Sequence, residues 1–100
     1  MENVNINAWV DMKNDNAVLL DVRTIEEFNE GHITGALNID VFSPNFQAEV
    51  EKLDTSKDYY IVCRSGGRSM SAGGAMESMG FTKVTNMAGG MMAWMGELVY

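Results

Sequence analysis

The sequence predicts an α/β fold, in which a parallel sheet is covered by helices on both faces. Segments with the apolar spacing of helices alternate along the chain with segments typical of strands. The two strongest strand segments, at 17–22 and 58–62, are continuous apolar runs, which is typical of strands buried on both faces of a parallel sheet. The chain has 100 residues and no linker or repeat, so we expect a single domain over 1–100.

The predicted elements are supported by local start and stop signals. Thr24 and Glu27 have the spacing of a capping box. Ser43 and Pro44 have the residue types of an N-cap and a first helical position, and Gly80 suits the position just after a helix. In order, we predict a helix over 5–13, a strand over 17–22, a helix over 24–30, a strand over 36–39, a helix from 43 through 53, a strand over 58–62, a helix over 69–79, a strand over 83–86 and a helix over 90–97.

Composition excludes several classes of function. Seven basic and fourteen acidic residues give a net charge of −7, which makes nucleic acid a poor partner. The longest apolar runs have four or five residues, too short for a membrane span, and the N-terminus lacks the features of a secretory signal. One cysteine and one histidine cannot form a disulfide or a Cys/His zinc site. We therefore expect a cytoplasmic monomer without a metal or a cofactor.

The segment after the second apolar strand predicts a site for a small anion. Residues 59–76 contain no acid and carry only Arg64 and Arg68, a charge of +2, while the other 82 residues sum to −9. Cys63 lies where this strand ends and a helix follows, the edge at which parallel sheets bind ligands. The glycines in its loop, 63–69, allow backbone amides to turn toward the thiol, and the helix N-terminus adds positive potential. We predict a lowered Cys63 pKa and a thiolate facing an oxyanion.

Other polar residues around this edge have structural interpretations that we prefer. His32 follows a short helix in a turn and is expected to be hydrogen-bonded, although a role as a base beside Cys63 stays open. Asp21 and Arg23 follow the first apolar strand. We expect them to fix loops through an ion pair or cap, with Glu27 as a candidate partner of Arg23, rather than to lie at the rim of the site.

Two further features are expected to be structural. Seven of the nine methionines lie between Met70 and Met95, and we expect them to fill the core rather than to form a binding surface. The glycines at 89–90 are expected to form a tight turn rather than to approach an anion. The pair at 73–74 should weaken its helix by about 1 kcal/mol per residue relative to alanine.

Three blocks across residues 21–94 resemble the signatures of rhodanese-like domains. They are Asp21-Val22-Arg23-Thr24-x-x-Glu27-Phe28-x-x-Gly31-His32-Ile33-x-Gly35-Ala36-x-Asn38-Ile39, Cys63-Arg64-Ser65-Gly66-Gly67-Arg68-Ser69, and Gly80-Phe81-x-x-Val84-x-Asn86-Met87-x-Gly89-Gly90-Met91-x-Ala93-Trp94. The resemblance implies a three-layer sandwich, with a parallel sheet of about five strands between helices. This agrees with the α/β fold predicted from the alternating elements.

The resemblance also implies sulfur transfer from a small anionic donor such as thiosulfate. Cys63 would be the catalytic nucleophile: it takes the outer sulfur as a persulfide, releases sulfite, and passes the sulfur to cyanide, a thiol or a protein acceptor. The implied substrate-binding residues are Arg64, Ser65, Gly66, Gly67, Arg68 and Ser69. Among them, the amides of 64–68 would form a cradle, and the two arginines would orient the donor. The implied structural residues are Asp21, Arg23, Glu27 and His32.

Two alternative functions stay open. The first is a sulfur-relay or binding module whose acceptor is another protein. The second is a phosphatase or arsenate reductase on the same fold, because the cysteine loop of such enzymes resembles this one. Their arginine is the sixth residue after the cysteine, whereas here Arg68 is the fifth residue after Cys63 and Ser69 is the sixth. A tighter ring of amides suits a sulfur atom better than a tetrahedral phosphate, so we disfavour the phosphatase.

Overall fold

A computed structural model describes all 100 residues, with five strands and five α-helices. In chain order the elements are β1 (Glu2–Asn5), a 3₁₀ turn (Ile6–Ala8), α1 (Trp9–Met12), β2 (Ala17–Asp21), α2 (Ile25–Glu30), β3 (Leu37–Asn38), α3 (Phe46–Glu51), β4 (Asp58–Val62), α4 (Gly67–Ser78), β5 (Val84–Ala88) and α5 (Gly90–Ala93). The strands form one parallel sheet in the order β1-β5-β4-β2-β3. The predicted α/β fold is confirmed. None of the helices combines the length and the apolar character needed to cross a bilayer.

The core consists of two apolar clusters, one on each face of the sheet. Successive residues of a strand point to opposite faces, so Leu20 and Ile61 belong to one cluster while Leu19 and Val62 belong to the other. Helices α3 and α4 cover the first cluster, and α1 and α5 cover the second. The continuous apolar runs of the sequence are explained by this burial on both faces.

The sheet order brings three strand ends to one edge. Strand β4 is central and pairs with β2 on one side and β5 on the other, all in parallel. Asp21, Val62 and Ala88 therefore end their strands at the same edge, which is where ligands bind in folds of this class. Cys63 follows β4 directly at this edge.

The N-terminal segment differs from the prediction. Strand β1 was not predicted, because its sequence is polar and only Val4 is half-buried, as suits an edge strand. The helix predicted over 5–13 is divided into the 3₁₀ turn and α1. Asn5 caps the turn, and its side chain accepts a hydrogen bond from the Asn7 amide at 2.9 Å.

Asn7 holds the end of α5, which is shorter than the helix predicted over 90–97. Its side chain donates to the Ala93 carbonyl at 2.9 Å and accepts from the Met95 amide at 2.8 Å. Trp94 is already extended, with φ −65° and ψ 126°, so the helix predicted over 90–97 ends at Ala93. A contact from a residue more than eighty positions away decides this end.

Two other helix starts also move. Helix α3 begins at Phe46, not at Pro44, because Ser43 and Pro44 form a turn in which the Ser43 hydroxyl accepts from the Asn45 amide at 3.1 Å. Helix α4 begins at Gly67, two residues before the predicted start, within the glycines that we had placed in the loop.

Gly80 ends α4 as predicted. Its φ of +101° is the left-handed conformation that favours glycine. Its amide donates to the Glu77 carbonyl and the Phe81 amide to the Met76 carbonyl, both at 3.1 Å, which is a Schellman motif.

Candidate active site

Cys63 lies at the centre of a ring of hydrogen-bond donors. The residue is 1% exposed, and its Sγ accepts a hydrogen bond from the Gly66 amide at 3.0 Å. The amides of Ser65 and Ser69 also point at the sulfur, and the Ser69 hydroxyl lies 3.4 Å from it. Helix α4 begins within this ring, so its positive N-terminal end lies beside the thiol.

These donors lower the pKa of the Cys63 thiol. Burial by itself would raise that pKa, but hydrogen bonds from the Ser69 hydroxyl and from the amides of Ser69, Gly66 and Ser65 outweigh it. The thiolate is therefore stabilised mainly by dipoles of the loop and of α4 rather than by the arginines.

Two glycines give the loop its shape. Gly66 has φ +116°, in the range that L side chains rarely adopt, and it turns the chain from the loop into α4. Gly90 has φ +59°, and a Cβ on it would lie 2.5 Å from the carbonyl oxygens of Cys63 and Arg64. The same carbonyls accept from the amides of Met91 and Met92 at 2.8 and 2.9 Å. The glycines at 89–90 thus form the expected turn, and the turn supports the loop.

A chain of polar side chains lies behind the thiol. The Ser69 hydroxyl, next to Sγ, is hydrogen-bonded to Oδ1 of Asn86 on β5. Asn86 is 3% exposed, and its Nδ2 donates to Oδ1 of Asn3 on β1 at 2.9 Å. We did not single out Asn86 or Asn3 from the sequence. The available signals were the place of Asn86 in the third block and a polar residue at the end of the strand predicted over 83–86, which is informative only once the strand is known to be buried.

Arg68 is held by a carboxylate. Its guanidinium donates to both oxygens of Glu27 at 2.7 and 2.9 Å, and it lies over the Phe42 ring, 5.7 Å from the centroid. Arg68 lowers the Glu27 pKa from 4.5 to about 2, chiefly through these hydrogen bonds, while burial opposes it. Glu27 also completes the predicted capping box with Thr24. The positive charge predicted at Arg68 is therefore neutralised in place.

Arg23 pairs with Asp21, not with Glu27. The Asp21 carboxylate accepts from Nε and Nη2 of Arg23 at 2.8 to 3.1 Å, and both residues are buried. Nη2 also donates to the Gly31 carbonyl at 2.8 Å. The prediction of Glu27 as the partner of Arg23 was wrong, because Glu27 is bound by Arg68. The preferred interpretation, an internal ion pair that includes Asp21 and Arg23, matches this geometry.

Comparison with known proteins decides the family. The family model described as Rhodanese-like domain matches residues 7–97. The chain belongs to the rhodanese-like domain family.

Relatives of this rhodanese-like domain agree in sequence and in structure. The chain is 44% identical over 79 residues to "Putative sulfurtransferase YtwF" of Bacillus subtilis, covering 79% of this chain and 74% of that protein. It is 40% identical over 85 residues to the Arabidopsis thaliana protein named "Thiosulfate sulfurtransferase 16, chloroplastic", covering 75% and 71%. A crystal structure of a rhodanese-like domain protein from Staphylococcus aureus superposes with a TM-score of 0.83 at 28% identity, over 97% of this chain and 93% of that one.

His32 lies in a turn of this rhodanese-like domain, against α2. Its Nδ1 is 2.8 Å from the Phe28 carbonyl oxygen, and its ring stacks on the Phe28 ring with centroids 3.6 Å apart. Its backbone forms an antiparallel bridge with Val99, through hydrogen bonds of 2.8 and 2.9 Å. These contacts tie the C-terminal segment to the turn.

A groove of about 490 Å³ lies beside the loop of this rhodanese-like domain. Arg64 lines it together with Met92, Trp94 and Leu98. Arg64 is exposed and is the only one of the three arginines without an ion pair. The residue after the buried thiol thus carries an exposed cation that is not held by a carboxylate.

Proposed function

We propose that this rhodanese-like domain is a sulfurtransferase that moves sulfane sulfur from thiosulfate, or a related donor, to a thiophilic acceptor through a Cys63 persulfide. The observation that carries the proposal is a lone thiol of lowered pKa inside a ring of backbone amides. Membership of the rhodanese-like family and the printed names of its relatives support the same chemistry.

Such a transfer conserves charge at each step. The Cys63 thiolate attacks the outer sulfur of thiosulfate, a sulfur–sulfur bond forms, and the old sulfur–sulfur bond breaks as sulfite leaves with its electron pair. The charge moves to the terminal sulfur of the persulfide, where the loop amides can stabilise it. A nucleophilic acceptor such as cyanide then attacks that terminal sulfur, forms thiocyanate and returns Cys63 to the thiolate.

The test is the mass of the intact protein. Because Cys63 is the only cysteine, incubation with thiosulfate should add one sulfur atom to the protein, with an equivalent of sulfite released. Cyanide should then remove that mass and yield an equal amount of thiocyanate. Cys63→Ser should show neither change. Normal turnover by the serine variant would refute the assignment.

A second candidate is a relay module that passes sulfur to a protein thiol. Exposed apolar side chains favour it: Met92 and Met95, which we expected in the core, are instead 69% and 86% exposed and follow the turn that supports the loop. Slow transfer from the persulfide to cyanide, combined with rapid transfer to a protein thiol, would support the relay. Equal rates for cyanide, a small thiol and a protein thiol would count against it.

The phosphatase alternative can be tested on the same preparation. The short spacing from Cys63 to Arg68 and the engagement of Arg68 by Glu27 keep this guanidinium from binding phosphate oxygens in line with the thiol. We expect negligible hydrolysis of aryl phosphates alongside persulfide formation. Cys63-dependent phosphatase activity without persulfide would replace our proposal with the phosphatase.

A further inference from the structure

The Ser69 hydroxyl faces three acceptors but has one hydrogen to donate. Its oxygen is 3.4 Å from Cys63 Sγ, 3.0 Å from the Gly66 carbonyl oxygen, and in a short hydrogen bond with Asn86 Oδ1. Ser69 and Asn86 are 0% and 3% exposed, so bulk water does not relieve this competition. Asn86 Nδ2 donates to Asn3, which leaves Oδ1 as the amide atom that faces Ser69.

The charge on Sγ decides which acceptor forms the strongest hydrogen bond with the Ser69 hydroxyl. When Cys63 is a thiol, S–H donates to Ser69, Ser69 donates to Asn86, and Asn86 donates to Asn3, so every donor in the chain is used. When Cys63 is a thiolate, a hydrogen bond from Ser69 to Sγ becomes the stronger one because the acceptor is charged. Asn86 Oδ1 then loses its hydrogen bond from the Ser69 hydroxyl.

We propose that Asn86 is a positioning residue for Cys63, acting through Ser69: its Oδ1 takes the Ser69 hydrogen whenever Sγ is uncharged and competes with the thiolate for it. The inference deepens the proposed sulfurtransferase and rests on it for its use in turnover, where thiol, thiolate and persulfide would alternate. In the persulfide the charge is on the terminal sulfur, so the hydrogen returns to Asn86. Asn86 thereby favours the states in which Sγ is neutral.

The charged groups around the thiol do not provide this effect. Arg64 is on the loop, and Arg68 on α4 is paired with Glu27 of α2, with Asp40 also near its guanidinium. Asp21 and Arg23, at the end of β2, pair with each other. Substitution of Asn86 changes none of these pairs, so a change in thiol titration can be assigned to the Ser69 hydrogen.

The test is the titration of Cys63, followed by thiolate ultraviolet absorbance and by the pH dependence of alkylation. No sulfur donor is needed, so failure of this inference is distinct from failure of the proposed function. Asn86→Leu removes the closer of the two acceptors that compete with the thiolate and leaves the Gly66 carbonyl oxygen in place. The titration midpoint should move to lower pH, with about a fivefold gain in thiolate fraction below the midpoint. Asn86→Asp keeps an acceptor and adds negative charge, so its midpoint should rise.

A double-mutant cycle separates positioning from a general disturbance of packing. Ser69→Ala should raise the midpoint, and Ser69→Ala/Asn86→Leu should titrate as Ser69→Ala does, because no hydroxyl hydrogen is left to redirect. Thr85→Val is the matched control, since Thr85 is the buried neighbour on β5 that points to the other face of the sheet, and its midpoint should not move.

Each variant is checked for native circular dichroism. Asn86→Val, β-branched as strands prefer, replaces Asn86→Leu if the latter does not fold. An unchanged or raised midpoint in the folded apolar variant would overturn the inference. Additive shifts in the double variant would overturn it as well, because they would show that Asn86 acts on the thiol without Ser69.

Discussion

At the scale of single residues, the three arginines are in three different electrostatic surroundings. Arg23 is buried with Asp21, Arg68 is bound to Glu27, and Arg64 is exposed on the loop without a partner. From sequence alone, Arg64 and Arg68 had equal standing as ligands of an anionic donor. Only Arg64 is free to move toward a donor without first breaking an ion pair.

Arg64→Ala should therefore raise KM for thiosulfate about three- to tenfold, because a solvent-exposed cation contributes a modest charge-assisted contact. The thiol titration should change little, since loop amides and Ser69 dominate it. Steady-state kinetics of thiocyanate formation measures KM, and the ultraviolet absorbance of the thiolate follows the titration. Lys83→Ala, which removes a cation just before β5 at the opposite edge of the sheet, is the control. Equal effects of the two substitutions would argue for net charge rather than local contact.

The Glu27–Arg68 pair should make stability depend on pH. The Glu27 pKa is lowered from 4.5 to about 2, so its contribution is complete above about pH 4.5 and is lost as the pH falls toward 2. Glu27→Gln should lower the free energy of unfolding by about 1–2 kcal/mol at neutral pH, since partial exposure screens the pair. The difference from the unsubstituted protein should shrink through that acid window, as measured by urea unfolding.

The matched control for this prediction is Glu26→Gln. Glu26 is in the same first turn of α2 and has the same favourable position toward the helix N-terminus, but it has no arginine partner. Glu26→Gln should lower the free energy of unfolding by only about a few tenths of a kcal/mol. A loss as large as that of Glu27→Gln would assign the effect to the helix dipole instead of the ion pair.

At the scale of elements, α4 has two adjacent glycines in its interior, and their surroundings differ. A Cβ on Gly73 would lie 2.4 Å from Met1 Sδ and 3.2 Å from Val84 Cγ1, so this glycine lets the helix approach the sheet. A Cβ on Gly74 would meet nothing within 4 Å. The sequence predicted that both weaken the helix, and the structure gives a packing reason for only one of them.

Gly74→Ala should stabilise the protein by about 1 kcal/mol, because it lowers the entropy cost of the helix without a new clash. Gly73→Ala should gain less or lose stability, since the new methyl must displace Met1 and press on Val84. Thermal and urea unfolding of the two variants measures the difference. A Gly73→Ala protein as stable as Gly74→Ala would show that the contact with Met1 and Val84 has no cost.

At the scale of the whole molecule, two small cores share one sheet. Leu19 and Leu20 are neighbours on β2, both at most 2% exposed, and they point into different clusters. Both tryptophans, Trp9 and Trp94, lie in or against the cluster of Leu19. Because the central strands β2 and β4 contribute to both clusters, loss of either core should unfold the sheet.

Leu20→Ala should therefore lower the unfolding temperature reported by tryptophan fluorescence, although both tryptophans lie on the other face. Leu19→Ala is the matched variant, and each should cost about 2–5 kcal/mol. Fluorescence and far-ultraviolet circular dichroism should give the same midpoint for each protein. A Leu20→Ala protein whose fluorescence transition stays at the original temperature would show that the two faces unfold independently.

The features of the fold and the site that could be predicted are those set by residues close together along the chain. Four features depend on residues a few positions apart and could therefore be predicted from local sequence: the apolar strands, the Thr24–Glu27 capping box, the Gly80 helix end and the strand–Cys63–helix order. The polar pairings could not be predicted in this way. Arg68 finds Glu27 across 41 positions, and Asn86 finds Ser69 across 17 and Asn3 across 83. The physical reason is that ion pairs and side-chain hydrogen bonds require approach within about 3 Å, which sheet order and helix docking set and local propensity does not.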